Sequence, residues 1–332
     1  MDNLQGSVFG HVRARPAAPA KAAGGREQIR LSATAFAALA CLALAACVSL
    51  DELAPQPGMR AGPQVNAGAQ GARNADGSEP WLVPSSVPGL FMRASLFSPP
   101  GAGPFRLAVV NHGSEQDPAR RAAQPGPAFP ALTAWLLKRD YAVLVPQRPG
   151  HGATGGPYLE DQGPCRAADY VGAGKGAAAS IEAAMRYMTG QPNIRPDGVL
   201  VVGNSAGGLG ALALAARNPK DVAGVVVFAA GRGGRDRGRA DSNCSPERLI
   251  AAAGTFGRTA RMPTLWLYAE NDTYFPPGLS GAMADAFRDG GGDVTYRLLP
   301  PLPGGEGHVL IDAPGDPPPW AAELEAFLAR RR

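Results

Sequence analysis

The feature that most constrains the fold of this sequence is an alternation of short apolar runs with longer helical patterns from residue 80 onward. The apolar runs lie at residues 90–97, 107–110, 141–145, 199–202, 222–228, 264–268 and 294–299. Several of them consist almost entirely of Val, Leu and Ala. Continuously apolar strands are typical of a parallel sheet that helices cover on both faces.

Helical patterns fill the gaps between these runs, at residues 129–139, 167–188, 205–217, 246–256, 279–289 and 320–330. Strands that alternate with helices predict an α/β domain with a doubly wound, mostly parallel β-sheet and helices on both faces. We place this domain at residues 80–332. The chain has 332 residues, of which 45% are hydrophobic, so it is long and apolar enough to bury a full core.

The first 46 residues have the pattern of an export signal. Basic residues precede the apolar run 31–46, which is shorter than the roughly 20 residues that a membrane-spanning helix needs. The run ends in Leu-Ala-Ala-Cys at residues 44–47, which resembles the lipobox of bacterial lipoproteins. That resemblance implies a diacylglyceryl group on the sulfur of Cys47. An ordinary signal peptide with a chance cysteine and a transmembrane anchor are the alternatives.

The expected location follows from this leader. No Arg-Arg pair precedes the apolar run, so a Sec-type route is expected rather than a twin-arginine route. We expect a lipid-anchored protein of the bacterial cell envelope, on the periplasmic side or at the cell surface. Residues 47–79, rich in Ala, Gly and Pro, would form a flexible tether behind the lipidated cysteine. The basic region is long for such a signal, which leaves a translation start further downstream open.

Charge and motifs exclude several classes of protein. The net charge is +4, and residues 1–46 hold five basic and two acidic residues, so only +1 remains for the rest of the chain. The body of the chain has no basic stripe with interleaved aromatic residues, so we expect no nucleic-acid partner. P-loop, dinucleotide-binding, His-Glu-x-x-His and Cys-x-x-Cys motifs do not occur, so the sequence predicts no cofactor and no metal.

A Gly-x-Ser-x-Gly motif at residues 203–207 carries the main functional signal. The motif is short enough to occur by chance, but it directly follows the apolar run 199–202 and directly precedes a helical pattern. Strand, sharp turn and helix in that order define a nucleophile elbow, with glycines where side chains would clash. Ser205 is therefore the candidate nucleophile, at the N-terminus of a helix whose dipole stabilises developing negative charge.

A serine nucleophile needs a histidine base that a carboxylate orients. In this architecture the chain order is serine, acid, histidine, and His308 is the only histidine after Ser205. The acid should follow the strand 264–268, where Glu270 and Asp272 both offer carboxylates. We favour Asp272, because the loop must carry the carboxylate past the strand end, and keep Glu270 as the second choice. The oxyanion donors should be the amide of Ala206 and an amide from residues 111–114.

Residues 87–330 resemble an α/β-hydrolase of the dienelactone hydrolase-like branch. The matching features are the His-Gly turn at 112–113, the Arg-Pro-Gly-His-Gly turn at 148–152, the elbow, and the loops at 270–272 and 307–308. The resemblance implies a hydrolase with a Ser205, Asp272, His308 triad and with the backbone amides of Ser114 and Ala206 as oxyanion donors. Dienelactone hydrolases use cysteine where this chain has serine, so dienelactone is not the expected substrate.

These features predict a serine hydrolase that cleaves a small-molecule carboxylic ester through an acyl-enzyme on Ser205. Hydrolysis of an amide or peptide bond by the same triad is one alternative. A non-catalytic envelope binding protein that kept the elbow is the other. A degenerated site would tend to lose some of its serine, acid, histidine and glycines, and all are present. We therefore expect an enzyme.

Three further expectations concern loops around this site. His112 and Arg148 are expected to support loops rather than to perform chemistry. The arginines between residues 232 and 239 would either attract an anionic substrate or lie in a solvated loop, and the acidic residues among them favour the loop. Export permits disulfides, and Cys165 and Cys244 lie in loops that would leave the same edge of the sheet. We predict that these two cysteines are bonded.

Overall fold

Eight β-strands form one sheet in the order β1-β2-β4-β3-β5-β6-β7-β8. The computed structural model describes residues 73–330, so the predicted signal peptide, Cys47 and most of the predicted tether lie outside the described residues. The strands are β1 (Glu79–Pro84), β2 (Phe91–Phe97), β3 (Arg106–Asn111), β4 (Tyr141–Pro146), β5 (Val199–Asn204), β6 (Val222–Phe228), β7 (Thr264–Ala269) and β8 (Val294–Leu299). Strand β2 pairs antiparallel with β1 and β4, and all other pairings are parallel.

Seven α-helices connect or follow these strands in the described residues. They are α1 (Pro118–Ala122), α2 (Pro130–Leu137), α3 (Tyr170–Thr189), α4 (Ala206–Ala215), α5 (Pro246–Gly257), α6 (Pro277–Asp289) and α7 (Ala321–Ala329). Short 3₁₀ turns lie at Gly152–Thr154, Cys165–Ala167, Asp236–Gly238 and Gly307–Asp312. The predicted doubly wound, mostly parallel sheet with helices on both faces is confirmed.

The sheet separates two hydrophobic cores. Along β5, Val199 and Val201 face the core that α3, α4, α5 and α6 cover, whereas Leu200 and Val202 face the core of α2 and α7. All four side chains are nearly or fully buried. The absence of polar alternation in this strand is therefore explained by apolar contacts on both faces.

The sequence analysis did not predict one of the eight strands. Strand β1 is an edge strand with prolines near both ends, Pro80 and Pro84, and edge strands tolerate proline because one side of the strand needs no hydrogen-bond donors. All seven predicted strands are present, with ends that differ by at most two residues. The short helix α1 was also missed, since its five residues are too few to show a periodic pattern.

A disulfide joins Cys165 and Cys244, as predicted, with their Cα atoms 5.2 Å apart. It links the segment before α3 to the segment before α5. The hydroxyl group of Tyr170 donates a hydrogen bond to the carbonyl oxygen of Cys244, which adds a second tie between the same segments. The two cysteines lie 79 residues apart, and closing such a loop stabilises the folded state by about 4 kcal/mol in the chain-entropy model.

No helix within residues 73–330 is long and apolar enough to cross a membrane.

Candidate active site

The turn between β5 and α4 holds Ser205 in a conformation that is rare for a residue with a side chain. Its φ is 53° and its ψ is −121°. The backbone N–H of Ser205 donates to the carbonyl of Phe228 at 3.0 Å, and its carbonyl accepts from Gly231 and Leu209 at 3.1 Å each. These bonds tie the turn to the end of β6 and to α4. Strained backbone of this kind persists only where surrounding contacts hold it, and it clusters at functional sites.

The two glycines of the motif are required by different neighbours. A Cβ on Gly203 would lie 2.3 Å from the carbonyl oxygen of Gly207, so this glycine allows the turn to close on itself, as predicted. A Cβ on Gly207 would lie 2.4 and 2.5 Å from the carbonyl oxygens of Asn111 and His112. The second glycine therefore serves the close approach of α4 to the end of β3, not the turn alone.

His308 lies in the 3₁₀ turn after β8, with its ring between Asp272 and two aromatic rings. Its Nδ1 lies 3.4 Å from the carboxylate of Asp272. The ring of Tyr274 stacks on the imidazole at a centroid distance of 4.1 Å, and Phe275 lies 5.5 Å away. The imidazole side chain is 12% exposed. These contacts orient the ring with Nδ1 toward the carboxylate and leave Nε2 for another partner.

Asp272 is positioned by its own loop. Its side chain is fully buried, and Oδ1 accepts hydrogen bonds from the backbone N–H groups of Tyr274 at 2.8 Å and Phe275 at 3.0 Å. Glu270, the second choice for the acid, is exposed at the end of β7. The geometry thus pairs His308 with Asp272 and not with Glu270.

Ser205 and His308 both line a cavity of about 1110 Å³ at the carboxyl edge of the sheet. In the described residues no hydrogen bond joins the two side chains. The hydrogen bond between a catalytic serine and its histidine is often long or poorly aligned before substrate binds. Its absence here is therefore compatible with the two side chains acting in one reaction. The cavity wall also includes Ala206 and residues 112–117, so both predicted oxyanion segments lie beside Ser205.

The loop after β3 approaches Ser205 most closely at Gly113, where an added Cβ would lie 3.2 Å from the Cβ of Ser205. The carbonyl of this glycine accepts a hydrogen bond from His112 Nδ1 at 2.6 Å, since the backbone N–H of Arg148 donates to His112 Nε2 at 3.0 Å. Burial and the charge of Arg148 lower the pKa of His112 well below its usual range, which keeps the ring neutral. The Gly113 carbonyl and the Ser114 N–H belong to one peptide plane, so this contact also fixes the direction of that N–H.

The hydroxyl group of Ser114 is fixed by hydrogen bonds with His151 and Tyr158. His151 Nδ1 lies 3.2 and 3.1 Å from two carbonyl oxygens, those of Arg148 and Pro149, so it carries the hydrogen, and Nε2 accepts from the hydroxyl of Ser114 at 2.9 Å. Burial lowers the pKa of His151 to about 4. Tyr158 completes the chain with a hydroxyl 2.8 Å from Ser114 Oγ. His112 and Arg148 support this loop, as predicted.

Within residues 73–330, no hydrogen bond occupies the backbone N–H of Ser114 or of Ala206. Both groups are therefore free to bind a negatively charged oxygen. No cluster of three or more His, Cys, Asp or Glu side chains in this part of the chain is arranged to hold a metal ion.

Several residues at the site had no sequence signal. Glu160 is buried and makes two hydrogen bonds to Arg148, at 2.5 and 3.1 Å. Glu306 accepts from the backbone N–H of Thr273 at 2.9 Å and pairs with Arg235, which joins the His308 segment to the Asp272 loop. Both carboxylates lie in polar loops, where only the tertiary structure selects their partners. The position of Glu306 two residues before His308 was the one available hint.

The arginines after β6 divide into two groups. Arg237 and Arg239 are exposed, and Arg235 is half-buried, as a solvated loop predicts. Arg232 does not follow that expectation, because its side chain is only 5% exposed and lines the cavity. The solvated-loop interpretation is therefore wrong for this residue, which is carried into the wall by the backbone that follows β6.

The sheet order, the elbow and the cavity at the carboxyl edge define an α/β-hydrolase fold. The same fold occurs in the esterase Pf2001 of Pyrococcus furiosus, which is 14% identical, with a TM-score of 0.52 over 76% of this chain and 92% of that one. It also occurs in Est1E of Butyrivibrio proteoclasticus with ferulic acid bound, at 14% identity and a TM-score of 0.52, over 74% of this chain and 96% of that one.

A third solved structure with this fold is an acylaminoacyl peptidase of Pyrococcus horikoshii. It is 13% identical, with a TM-score of 0.55, and the match covers 76% of this chain and 41% of the peptidase. No protein-family model matches the sequence, and no curated protein does. At these identities the comparisons establish the fold.

Proposed function

We propose that this chain is a serine hydrolase that cleaves carboxylic esters through an acyl-enzyme on Ser205. The observation that carries the proposal is the strained Ser205 at an elbow, in the wall of a cavity that also contains His308. The esterase and peptidase activities of proteins with the same fold support a hydrolase. The resemblance to the dienelactone hydrolase-like branch, with serine as nucleophile, belongs to this proposal.

The reaction begins with proton transfer from the Ser205 hydroxyl to His308 Nε2, as the Oγ attacks the ester carbonyl carbon. Asp272 stabilises the imidazolium through Nδ1. The backbone N–H groups of Ser114 and Ala206 bind the oxyanion. The tetrahedral intermediate then collapses, and His308 gives its proton to the departing alcohol. Water, deprotonated by the same histidine, hydrolyses the acyl-enzyme and restores Ser205.

The hydrogen bonds around the Gly113–Ser114 peptide support this assignment of the oxyanion donor. His112 holds the carbonyl of that peptide, and His151 holds the Ser114 side chain. A donor that is fixed before the reaction costs no reorganisation in the transition state.

Removal of the nucleophile tests the proposal. We expect Ser205→Ala, His308→Ala and the double variant to hydrolyse 4-nitrophenyl esters at rates at least about 10³-fold below that of the wild type. The three residual rates should be similar, because the two groups act as a unit. A fluorophosphonate probe should label the wild type and not Ser205→Ala.

Full activity in Ser205→Ala would refute the proposal. If the probe labels the wild type but the wild type cleaves no ester, the proposed ester substrate would be refuted. A peptide series assayed beside the ester panel separates ester from amide hydrolysis. Rates higher for peptides would favour the amide alternative.

We also propose that the enzyme is exported and anchored by a lipid on Cys47. The lipobox-like sequence at residues 44–47 carries this proposal. The Cys165–Cys244 disulfide supports it, because such bonds persist in oxidising compartments such as the periplasm.

A further inference from the structure

The charges in the cavity wall are unevenly compensated. Four arginines line the cavity: Arg120, Arg232, Arg235 and Arg237. Arg120 pairs with Glu115 and Arg235 with Glu306, whereas Arg237 and Arg239, which are both exposed, share Asp236. Arg232 differs from the other three because it is buried and shares its carboxylate with a second buried arginine.

The carboxylate nearest to Arg232 belongs to Glu160 and is already engaged. Arg148, which is fully buried, takes both of its oxygens at 2.5 and 3.1 Å. Arg232 Nη1 reaches one of the same oxygens at 3.4 Å. One carboxylate between two buried guanidinium groups leaves one positive charge uncompensated, and a buried unpaired charge is costly.

A third guanidinium group strengthens the positive potential. Arg121 is buried and lies 3.5 Å above the ring of Tyr158, while the Arg232 guanidinium lies 5.4 Å from the same ring. Burial lowers the pKa of Arg232 to about 9, and the charges of Arg148 and Arg121 add to this effect. An anion beside Arg232 would relieve the repulsion.

The edge of the Arg232 guanidinium group that does not contact Glu160 has the geometry needed to bind a carboxylate. The contact with Glu160 uses Nη1, and Nε is buried without a hydrogen-bond partner in residues 73–330. Nε and Nη2 form the opposite edge of the guanidinium group, where two parallel N–H bonds match the two oxygens of a carboxylate.

We propose that Arg232 forms a carboxylate-binding subsite of the cavity and that the substrate is an ester bearing a separate free carboxylate. This inference rests on the proposed function and names its substrate class. The ester carbonyl lies at Ser205 while the free carboxylate binds the Nε and Nη2 edge of Arg232. The cavity wall also contains two acidic residues, Glu115 and Asp117. Both are exposed to solvent, whereas Arg232 is buried.

Matched esters test the subsite. The first pair is 4-nitrophenyl hydrogen adipate and its neutral methyl ester, with the charge on the acyl side. The second pair is 3-acetoxybenzoate and its methyl ester, with the charge on the alcohol side. We expect the wild type to favour the charged member of at least one pair by about 10-fold or more in kcat/KM, as for a hydrogen bond between charged groups.

Substitutions then assign that preference to a residue. Arg232→Met should lower the ratio of kcat/KM for the charged ester to kcat/KM for its neutral partner by about 10-fold or more, because only the charged ester uses the guanidinium group. The matched control is Arg237→Met, which removes an exposed arginine from the same loop and should keep the preference. A similar loss in both variants would mean diffuse attraction and would overturn the subsite.

The outcomes separate this inference from the proposed function. Hydrolysis of neutral esters without any preference for a charged partner overturns the subsite alone. Failure to cleave any ester, with no probe labelling of Ser205, overturns the proposed function. If Arg232→Met does not fold, inhibition of the wild type decides: adipate should inhibit at least about 10-fold more strongly than the uncharged adipamide, and equal inhibition would refute the subsite.

Discussion

At the scale of single residues, Asp272 and Glu270 show how two neighbouring carboxylates acquire different surroundings. Asp272 is buried and its Oδ1 accepts two backbone hydrogen bonds, whereas Glu270 is exposed two residues earlier. Only the first carboxylate faces His308. The sequence analysis favoured Asp272 but kept Glu270 as the second choice, because both candidates follow the same strand.

Asp272→Asn should keep the fold, because its side-chain oxygen still accepts from the Tyr274 and Phe275 amides. The amide nitrogen facing His308 would favour the wrong tautomer, so we expect kcat to fall by about 10³- to 10⁴-fold. Glu270→Gln is the matched control and should remain within about twofold of the wild type. Steady-state ester hydrolysis and thermal unfolding measure both effects. A greater loss in Glu270→Gln would show that Asp272 is not the acid.

His151 makes stability depend on pH. Its pKa is about 4 in the folded chain and near 6.5 when unfolded, so the unfolded state binds the proton more readily between these values. The free energy of unfolding should therefore fall as pH drops from 6.5 to 4, by about 3 kcal/mol from this residue. Urea unfolding of the wild type and His151→Gln across this range measures the effect. His112 lowers stability at acid pH in both proteins, so only the difference between the two curves reports on His151. The same pH dependence in the wild type and in His151→Gln would contradict the prediction.

At the scale of secondary structure, glycines in helices distinguish close packing from open surface. A Cβ on Gly210 in α4 would lie 2.6 Å from the Cβ of Ala177 in α3, whereas one on Gly281 in α6 would meet nothing within 4 Å. The sequence does not separate these positions, because both are glycines within helical patterns. The neighbouring helix decides which one can accept a side chain.

The same substitution should therefore have opposite effects at the two positions. Gly210→Ala should destabilise the protein by about 1 to 3 kcal/mol, because the added methyl group forces α3 and α4 apart. Gly281→Ala should stabilise it by about 0.5 to 1 kcal/mol, because alanine loses less conformational entropy in a helix. Denaturant unfolding measures both changes. Stabilisation by Gly210→Ala would show that this helix contact yields more easily than the structure indicates.

At the scale of the whole molecule, the carboxyl edge of the sheet collects loops that lie far apart in the chain. Elements from residue 112 to residue 308 meet in one cavity wall. The Cys165–Cys244 disulfide links two further loops. Parallel strands make this possible, because their carboxyl ends all point to the same edge.

Membrane attachment of the whole chain is tested at Cys47. If a lipid is attached there, the wild type should sediment with membranes and partition into detergent, and Cys47→Ala should be released or remain unprocessed. Cys41→Ala changes the other cysteine near the same signal and should behave like the wild type. Wild-type protein found soluble, with an N-terminus well beyond residue 47, would disprove the anchor.

The sequence by itself determined the fold class, the elbow and the order of the candidate triad. These depend on local information: apolar runs, turns that require glycine, and the order of elements along the chain. Ser205 and His308 could be named for that reason, as could the pairing of the only two cysteines beyond Cys47.

Only the tertiary structure decided the choice between Asp272 and Glu270, the contacts of Glu160, and the burial of Arg232. Each depends on which loop lies opposite, and loop conformation is set by contacts between residues far apart in sequence. Arg232 shows the reason most clearly. In the sequence it belongs to a polar run of arginines, and the two buried charged residues beside it, Glu160 and Arg148, precede it by more than 70 residues. No local pattern encodes such a contact.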